Sequence, residues 1–231
     1  MAEGYETDDE QIEVLKKWWS DNGTSTLVII AISVISVLGW QGWQNRQQQE
    51  LGASSSIYEN MLVAARGTNG VVTQEQKSTA NHLANTLKTD FPSSTYARFA
   101  ALYIAKFAVE ANNYAEAEEA LQWILDNGAI DDILLQTKLR LARVFYAQDK
   151  YSEALSQLQG DASIYAAAFE EVRGDVFNAQ GDFKKAELSY IKASELNLQL
   201  EKPANNPLLN LKIQRLKSKV SNSSSATEEE M

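Results

Sequence analysis

The stretch DKYSEA, Asp149 to Ala154, is one copy of a pattern that recurs along the chain and decides the fold. It returns as NNYAEA at 112–117 and as GDFKKA at 181–186. Each copy belongs to a ladder of four positions: a small residue, an aromatic nine positions later, an alanine three further on, and a large apolar residue four beyond that. The three ladders are Ala105, Tyr114, Ala117 and Leu121; Ala142, Tyr151, Ala154 and Leu158; and Gly174, Phe183, Ala186 and Tyr190. They begin 37 and then 32 residues apart, close to the roughly 34-residue period of a tetratricopeptide helix pair.

The residue types in these ladders suit two antiparallel helices joined by a tight turn. The small residue lets the second helix approach closely, the aromatic after the turn fills the gap, and the alanine keeps the two helices in contact. The chain also has only 3 prolines and 11 glycines in 231 residues, which favours an all-α protein. We therefore predict an all-α fold with a tetratricopeptide-like α-solenoid. An irregular helical bundle whose alanines match by chance is the alternative.

A second signal lies upstream, where Thr24 to Trp43 reads TSTLVIIAISVISVLGWQGW without a charged residue. A helix of this length spans roughly 30 Å, the thickness of the hydrocarbon core of a membrane. Trp18 and Trp19 precede the apolar stretch. Trp40 and Trp43 close it, so that the two tryptophan pairs lie at the spacing of the aromatic belts at two membrane interfaces. The sequence therefore predicts one transmembrane helix, residues 24–43.

Two other interpretations of this apolar stretch stay open. A cleaved secretory signal would use Lys16 and Lys17 as its positively charged region, although the acidic leader before them is unusually long. Its apolar part would run from Leu27 to Leu38. A buried core helix is the other interpretation, but such a helix would not need tryptophans at both ends.

The orientation of the span follows from the basic residues beside it. Lys16 and Lys17 flank its N-terminal end, whereas Arg46 is the only basic residue close to the other end. Flanking basic residues tend to stay in the cytoplasm, and a long domain is translocated largely regardless of its charge. We therefore predict a cytoplasmic N-terminus, with the bulk of the chain outside the cytoplasm.

These signals divide the chain into four parts. Residues 1–23 are predicted as an acidic cytoplasmic N-terminus, 24–43 as the transmembrane helix, 44–220 as the tetratricopeptide-like domain, and 221–231 (SNSSSATEEEM) as a disordered tail. The tail has no aromatic or branched apolar residue with which to build a core. Apolar residues at helical spacing predict further helices over Ile57–Arg66, Gln74–Lys88 and Pro207–Val220.

The composition excludes several kinds of function. Asp and Glu number 31 against 21 Lys and Arg, and a net charge of −10 does not suit nucleic-acid phosphates, so no nucleic-acid partner is expected. Cysteine is absent and His82 is the single histidine, which excludes thiolate and multi-histidine metal sites. Adjacent carboxylates such as Glu118 and Glu119 point about 100° apart on a helix and do not converge on a substrate atom. With no phosphate-binding loop either, we predict a protein that is not an enzyme and holds no catalytic residue, metal or cofactor.

Binding to other proteins is the function that remains. In tetratricopeptide proteins the first helix of each pair lines a concave groove that holds a peptide or partner segment. The repeat register predicts eleven partner-binding residues on that face, apolar and basic at one end and acidic at the other. They are Phe99, Leu102, Lys106 and Val109 in the first pair, Gln136, Leu139, Arg143 and Tyr146 in the second, and Glu171, Asp175 and Asn178 in the third. In the alternative, the final helix, Leu208 to Val220, folds over the groove and caps it.

The chain also resembles a known family, the YfgM-type ancillary subunits of the bacterial SecYEG translocon. The stretches that carry the resemblance are Gln11 to Trp43, SIYENMLVAA ending at Ala65, LRLARVFYAQDKYSEAL from Leu139 to Leu155, and VRGDVFNAQGDFKKA from Val172 to Ala186. The resemblance implies a single-pass protein of the bacterial inner membrane whose bulk faces the periplasm. It also implies association with the SecYEG translocon and with a membrane-anchored periplasmic chaperone of the PpiD type.

Two functions are consistent with these expectations. The first is a scaffold or chaperone-type subunit beside the translocon, which binds nascent or unfolded secretory chains, or their chaperone, through its repeats. The second is an assembly scaffold for another inner-membrane complex, with no contact with secretory clients.

Overall fold

The computed structural model describes residues 8–67, 71–129, 131–200 and 206–228. Within these ranges every regular element is helical, which confirms the predicted all-α fold. The helices are α1 Asp8–Arg66, α2 Gln74–Asp90, α3 Thr95–Glu110, α4 Tyr114–Asp126, α5 Asp131–Ala147, α6 Tyr151–Gln157, α7 Ala166–Ala179, α8 Phe183–Leu198 and α9 Pro207–Glu228, with a 3₁₀ turn at Ser163–Tyr165 before α7.

The chain divides into two compact units, Met1–Ala53 and Ser54–Met231. We call the second of these the repeat unit. It starts ten residues after the predicted domain boundary at residue 44, because residues 44–53 are all exposed and Ser54 is the first buried residue after them. Residues 1–7 of the predicted cytoplasmic N-terminus lie outside the described residues.

The predicted transmembrane stretch, residues 24–43, lies within α1. Among the described residues, α1 is the one helix long and apolar enough to cross a membrane, and its most apolar window has a mean hydropathy of 1.9. The Oγ atoms of Ser33 and Ser36 each donate a hydrogen bond of 2.8 Å to a backbone carbonyl one turn earlier, so neither hydroxyl needs an outside partner. That window is 6% buried, which argues against a buried core helix.

The repeat unit is built from three helix pairs, α3–α4, α5–α6 and α7–α8, in the register that the ladders predict. Nine ladder positions, the small residues, alanines and large apolar residues, are all buried: Ala105, Ala117, Leu121, Ala142, Ala154, Leu158, Gly174, Ala186 and Tyr190. The three aromatics are half-buried at the first position of the second helix of each pair. The predicted tetratricopeptide-like arrangement is therefore confirmed.

The turn between the helices of each pair has one conformation in all three repeats. The residue two positions before the aromatic has a left-handed backbone: Asn112 with φ 57°, Asp149 with φ 57° and Gly181 with φ 81°. Glycine, asparagine and aspartate adopt this conformation at least cost. In each repeat the next N–H donates to a carbonyl five residues earlier, at 2.8–2.9 Å. The different turn sequences therefore encode the same local geometry.

The third pair differs from the first two where its helices cross. Gly174 and Tyr190 occupy the positions that hold Ala105 with Leu121, and Ala142 with Leu158, in the earlier pairs. The Tyr190 ring fills the space of the missing side chain, since a Cβ built on Gly174 would lie 2.5 Å from its Cε1. The Tyr190 hydroxyl donates a 2.7 Å hydrogen bond to Asp175 Oδ1.

Helices α2 and α9 flank the three pairs. The predicted helix from Gln74 is present as α2, where Thr73 accepts a hydrogen bond from the Gln76 N–H and the Gln76 side chain bonds back to Thr73. Helix α9 packs Leu209 and Leu216 into a core with residues of α8. It ends at Glu228, eight residues beyond the predicted end, so the predicted disordered tail is helical over residues 221–228. That segment contains no glycine or proline to end the helix, and residues 229–231 lie outside the described residues.

Candidate partner-binding groove

A cavity of about 630 Å³ opens in the repeat unit between the first helices of the first two pairs. We call it the groove. Its lining residues include Tyr58 of α1, Phe99, Leu102, Tyr103, Lys106, Val109 and Glu110 of α3, and Arg140, Arg143, Val144 and Ala147 of α5. The groove therefore lies on the helices that the repeat register assigns to the concave face.

All four predicted residues of the first pair, Phe99, Leu102, Lys106 and Val109, line the groove, and so does Arg143 of the second. Their spacing along α3 repeats every three or four residues, so a single helix face presents them.

The second pair presents a different face from the one predicted. Leu139 is buried in a core with Leu158 and Phe169, and neither Gln136 nor Tyr146 lines the groove. Arg140 and Ala147 line it instead, each one residue further along α5. One residue corresponds to a rotation of about 100° around a helix. The face of α5 that the sequence predicted as open therefore points partly toward the core.

The acidic residues predicted in the third pair are covered by α9. The Lys212 Nζ lies 2.8 Å from Glu171 Oε1 and 2.7 Å from Asp175 Oδ1. The Asn206 side-chain amide donates a further 3.1 Å hydrogen bond to Glu171 Oε2. Asn178, the third predicted residue, does not line the groove. The final helix therefore covers the acidic end of the concave face and leaves the groove at the first two pairs open.

The apolar wall of the groove is largely aromatic. The Tyr58 ring centroid lies 6.1 Å from that of Phe99 and 5.3 Å from that of Tyr96. Burial and the neighbouring Tyr103 raise the pKa of Tyr58, so its hydroxyl stays neutral at physiological pH. The wall thus presents uncharged ring faces, which favour contact with apolar side chains.

The groove is also lined by three cationic side chains, Lys106 of α3 and Arg140 and Arg143 of α5. Glu110, the carboxylate in the lining, is already paired with Lys77 at 3.0 Å and lies 3.8 Å from the Lys106 Nζ. Among the described residues, no carboxylate lies within ion-pair distance of Arg140 or Arg143. Burial lowers the pKa of Arg140, and the nearby Arg143 adds to the effect, but an arginine stays charged under all physiological conditions.

The sequence prediction did not include several of the lining residues, and Tyr58, Tyr103 and Arg140 illustrate the reasons. Tyr103 and Arg140 stand four and three residues from the predicted Phe99 and Arg143, so helical spacing alone would have included them. Tyr58 lies on α1, outside the repeats, and no repeat signal points to it. No three His, Asp or Glu side chains come together as a metal site in the described part of the chain.

The contacts of Lys212 give the repeat unit a source of pH dependence. Burial disfavours the charged form of Lys212, but its hydrogen bonds to Asp175 and Glu171 outweigh that effect, and the net pKa lies above the ordinary lysine value. Burial and the bond to Asp175 raise the pKa of Tyr190 far above that of free tyrosine. In both cases the folded state binds the proton more tightly than the unfolded chain does.

We expect the free energy of unfolding of the repeat unit to fall as the pH rises above about 10. The stabilisation from these two groups is complete below their unfolded pKa values, about 10 and 10.4, and is lost as the pH rises through the folded values. Urea unfolding of the full chain in mild detergent at successive pH values measures this loss. The loss is expected to be smaller in Lys212→Met, whereas Lys217→Met, an exposed change on the same helix, serves as the control. An equal alkaline loss in Lys212→Met and the wild type would contradict the prediction.

These helix pairs and the groove between them define a repeat protein of the tetratricopeptide class. A family model described as a tetratricopeptide repeat-like domain matches residues 16–218, and the chain belongs to that family.

Within that class, the chain is similar to proteins named ancillary SecYEG translocon subunit. The one from Haemophilus influenzae is 29% identical over 195 residues, which cover 84% of this chain and 92% of that protein. The one from Escherichia coli K12 is 25% identical over 217 residues, covering 92% and 98%. The one from Neisseria gonorrhoeae is 26% identical over 189 residues, covering 81% and 88%. The resemblance inferred from the sequence is therefore confirmed over most of the chain.

Proposed function

We propose that this protein is a membrane-anchored ancillary subunit of the Sec translocon that binds partner proteins or emerging secretory chains through its groove. The observation that carries the proposal is the open groove on α3 and α5. It is lined by aromatic side chains and by two arginines that have no carboxylate partner in the part of the chain that the structure describes. Tetratricopeptide-like repeats bind partner segments on this face. The relatives are named for the SecYEG translocon, which supplies the place of action.

The remaining features of the proposal follow from that role. The protein acts as a binding subunit and not as an enzyme, and it uses no cofactor. The span at residues 24–43 anchors it in the bacterial inner membrane, with the N-terminus in the cytoplasm and the repeat unit in the periplasm. A membrane-anchored periplasmic chaperone of the PpiD type is its further partner, and the protein assists that chaperone with nascent or unfolded chains.

Affinity purification of the tagged full chain from inner membranes in mild detergent is expected to recover the channel subunits of the translocon. An unrelated single-pass membrane protein with the same tag and a similar expression level is the control. Repeated absence of the channel subunits, while the tagged chain is recovered intact, would contradict the association.

A second candidate function is an assembly scaffold for another inner-membrane complex, without secretory clients. The observation that favours it is that α9 covers Glu171 and Asp175. This cover shortens the open part of the concave face, and a short groove suits one fixed partner segment. Photo-crosslinkers at Val109 and Arg143 separate the two candidates, with Leu188, exposed on α8 outside the groove, as the control position. Adducts with nascent chains support the translocon role, whereas adducts with a single membrane complex alone support the scaffold.

A further inference from the structure

The charges in the groove are opposite in sign to those of the chain as a whole. The chain has a net charge of −10, yet the described residues that line the groove include Lys106, Arg140 and Arg143 against one carboxylate, that of Glu110. That carboxylate is already held by Lys77 at 3.0 Å. The two arginines, Arg140 half-buried and Arg143 exposed, therefore present donors without a carboxylate partner among the described residues.

An unpaired, half-buried arginine is costly for a fold, because burial removes hydration that no carboxylate replaces. Arg140 bears that cost: burial lowers its pKa, and Arg143, one turn further along α5, repels it. A carboxylate from outside would relieve both effects, since guanidinium groups bind carboxylates through paired hydrogen bonds.

The same cavity also offers a place for an apolar side chain. Tyr58 of α1 and Phe99 and Leu102 of α3 line the same cavity as the arginines of α5. Val109 of α3, 40% exposed, also lines it. A volume of about 630 Å³ holds a few side chains of a peptide and is too small for a folded domain. A ligand that uses the whole groove must therefore carry an apolar group and a negative charge close together.

We propose that the groove recognises an extended peptide segment in which a large apolar side chain lies next to an acidic one. The apolar side chain packs on the wall of Tyr58, Phe99 and Leu102, and the carboxylate binds Arg140 and Arg143. This proposal rests on the proposed function and names the class of segment that the groove binds. The negative charge of the rest of the chain repels acidic segments elsewhere, so the groove is the place where such a segment binds.

Fluorescence anisotropy with three matched peptides tests the proposal, using the full chain in mild detergent. The first peptide pairs phenylalanine with glutamate, the second replaces glutamate by lysine, and the third replaces phenylalanine by serine. The first is expected to bind at least about tenfold more tightly than either of the others, because charge-assisted hydrogen bonds and apolar burial each contribute about that factor. Its affinity should fall as salt is added.

Variants assign the effect to the arginines. Arg140→Gln combined with Arg143→Gln is expected to remove the preference for glutamate over lysine and to keep the preference for phenylalanine over serine. Arg215→Gln, an exposed change on α9 outside the groove, is the matched control and should bind like the wild type. Val109→Glu is expected to weaken binding of the glutamate peptide through repulsion, without disturbing the core. Circular dichroism checks that each variant is folded.

Three outcomes would overturn the proposal. Equal binding of the glutamate and lysine peptides would show that the arginines do not recognise a carboxylate. If none of the three peptides binds, the groove does not recognise this class of peptide segment. Displacement of the glutamate peptide by glycerol phosphate at equal concentration would assign the arginines to a lipid headgroup. Recovery of the translocon in the affinity purification is unaffected by these outcomes, so failure of this proposal is distinguishable from failure of the proposed function.

Discussion

Gly174→Leu is expected to lower the free energy of unfolding of the repeat unit by roughly 1–3 kcal/mol, because the leucine overpacks the crossing of α7 and α8. A Cβ at this position would already overlap the ring of Tyr190, which is 1% exposed and cannot move into solvent. The hydroxyl of Tyr190 is also held by Asp175 at 2.7 Å, which fixes the ring from its other end. Urea unfolding of the full chain in mild detergent measures the change.

The other two repeats supply the control for this prediction. They combine an alanine with a leucine where the third pair has Gly174 and Tyr190, so Gly174→Ala alone should destabilise the unit. Adding Tyr190→Leu should recover part of that loss, since the crossing then has the composition of the first two pairs. Gly52→Leu, where an added Cβ meets nothing within 4 Å, should leave the stability of the repeat unit unchanged. An unaltered unfolding midpoint for Gly174→Leu would contradict the close crossing.

The architecture was predictable because each helix pair repeats the same local requirements. Ala105, Ala142 and Gly174 mark the close crossings, and the turn residues mark the left-handed positions, so each repeat supports the interpretation of the others. The end of α9 was not predictable in this way. Residues 221–228 contain neither a breaker nor an apolar residue that fixes a boundary, and propensity alone is a weak guide to a helix end.

The candidate groove was predictable on α3 and less so elsewhere. On α3 the repeat register is enough to place Phe99, Leu102, Lys106 and Val109 on the open face. On α5 apolar and basic residues alternate so densely that a rotation of one residue changes which of them face the groove. Leu139, predicted in the groove, therefore lies in the core, and Arg140 lines the groove in its place. Lys212 lies 41 residues beyond Glu171 in sequence, and a contact at that distance follows from the packing of α9 and not from any local pattern.

Protease added to intact spheroplasts is expected to digest the repeat unit and to leave a short N-terminal fragment protected. Lys16 and Lys17 flank the N-terminal end of the span, whereas Arg46 is the only basic residue close to the other end, so we expect the N-terminus to stay in the cytoplasm. The repeat unit is too long for its own charges to decide its side. The chain has no cysteine, so exposure to the oxidising periplasm creates no risk of mispaired disulfides.

The same experiment separates a membrane anchor from a cleaved signal, which would share the same apolar stretch. An anchored chain keeps Trp18 in its N-terminal peptide by mass spectrometry and stays in the membrane after a carbonate wash, whereas a cleaved chain does neither. A cytoplasmic protein that remains intact shows that the spheroplasts are sealed. Protection of the repeat unit in sealed spheroplasts, with digestion only after lysis, would place it in the cytoplasm. A groove on that side of the membrane would never meet a segment that has crossed it, and the periplasmic role would be lost together with the topology.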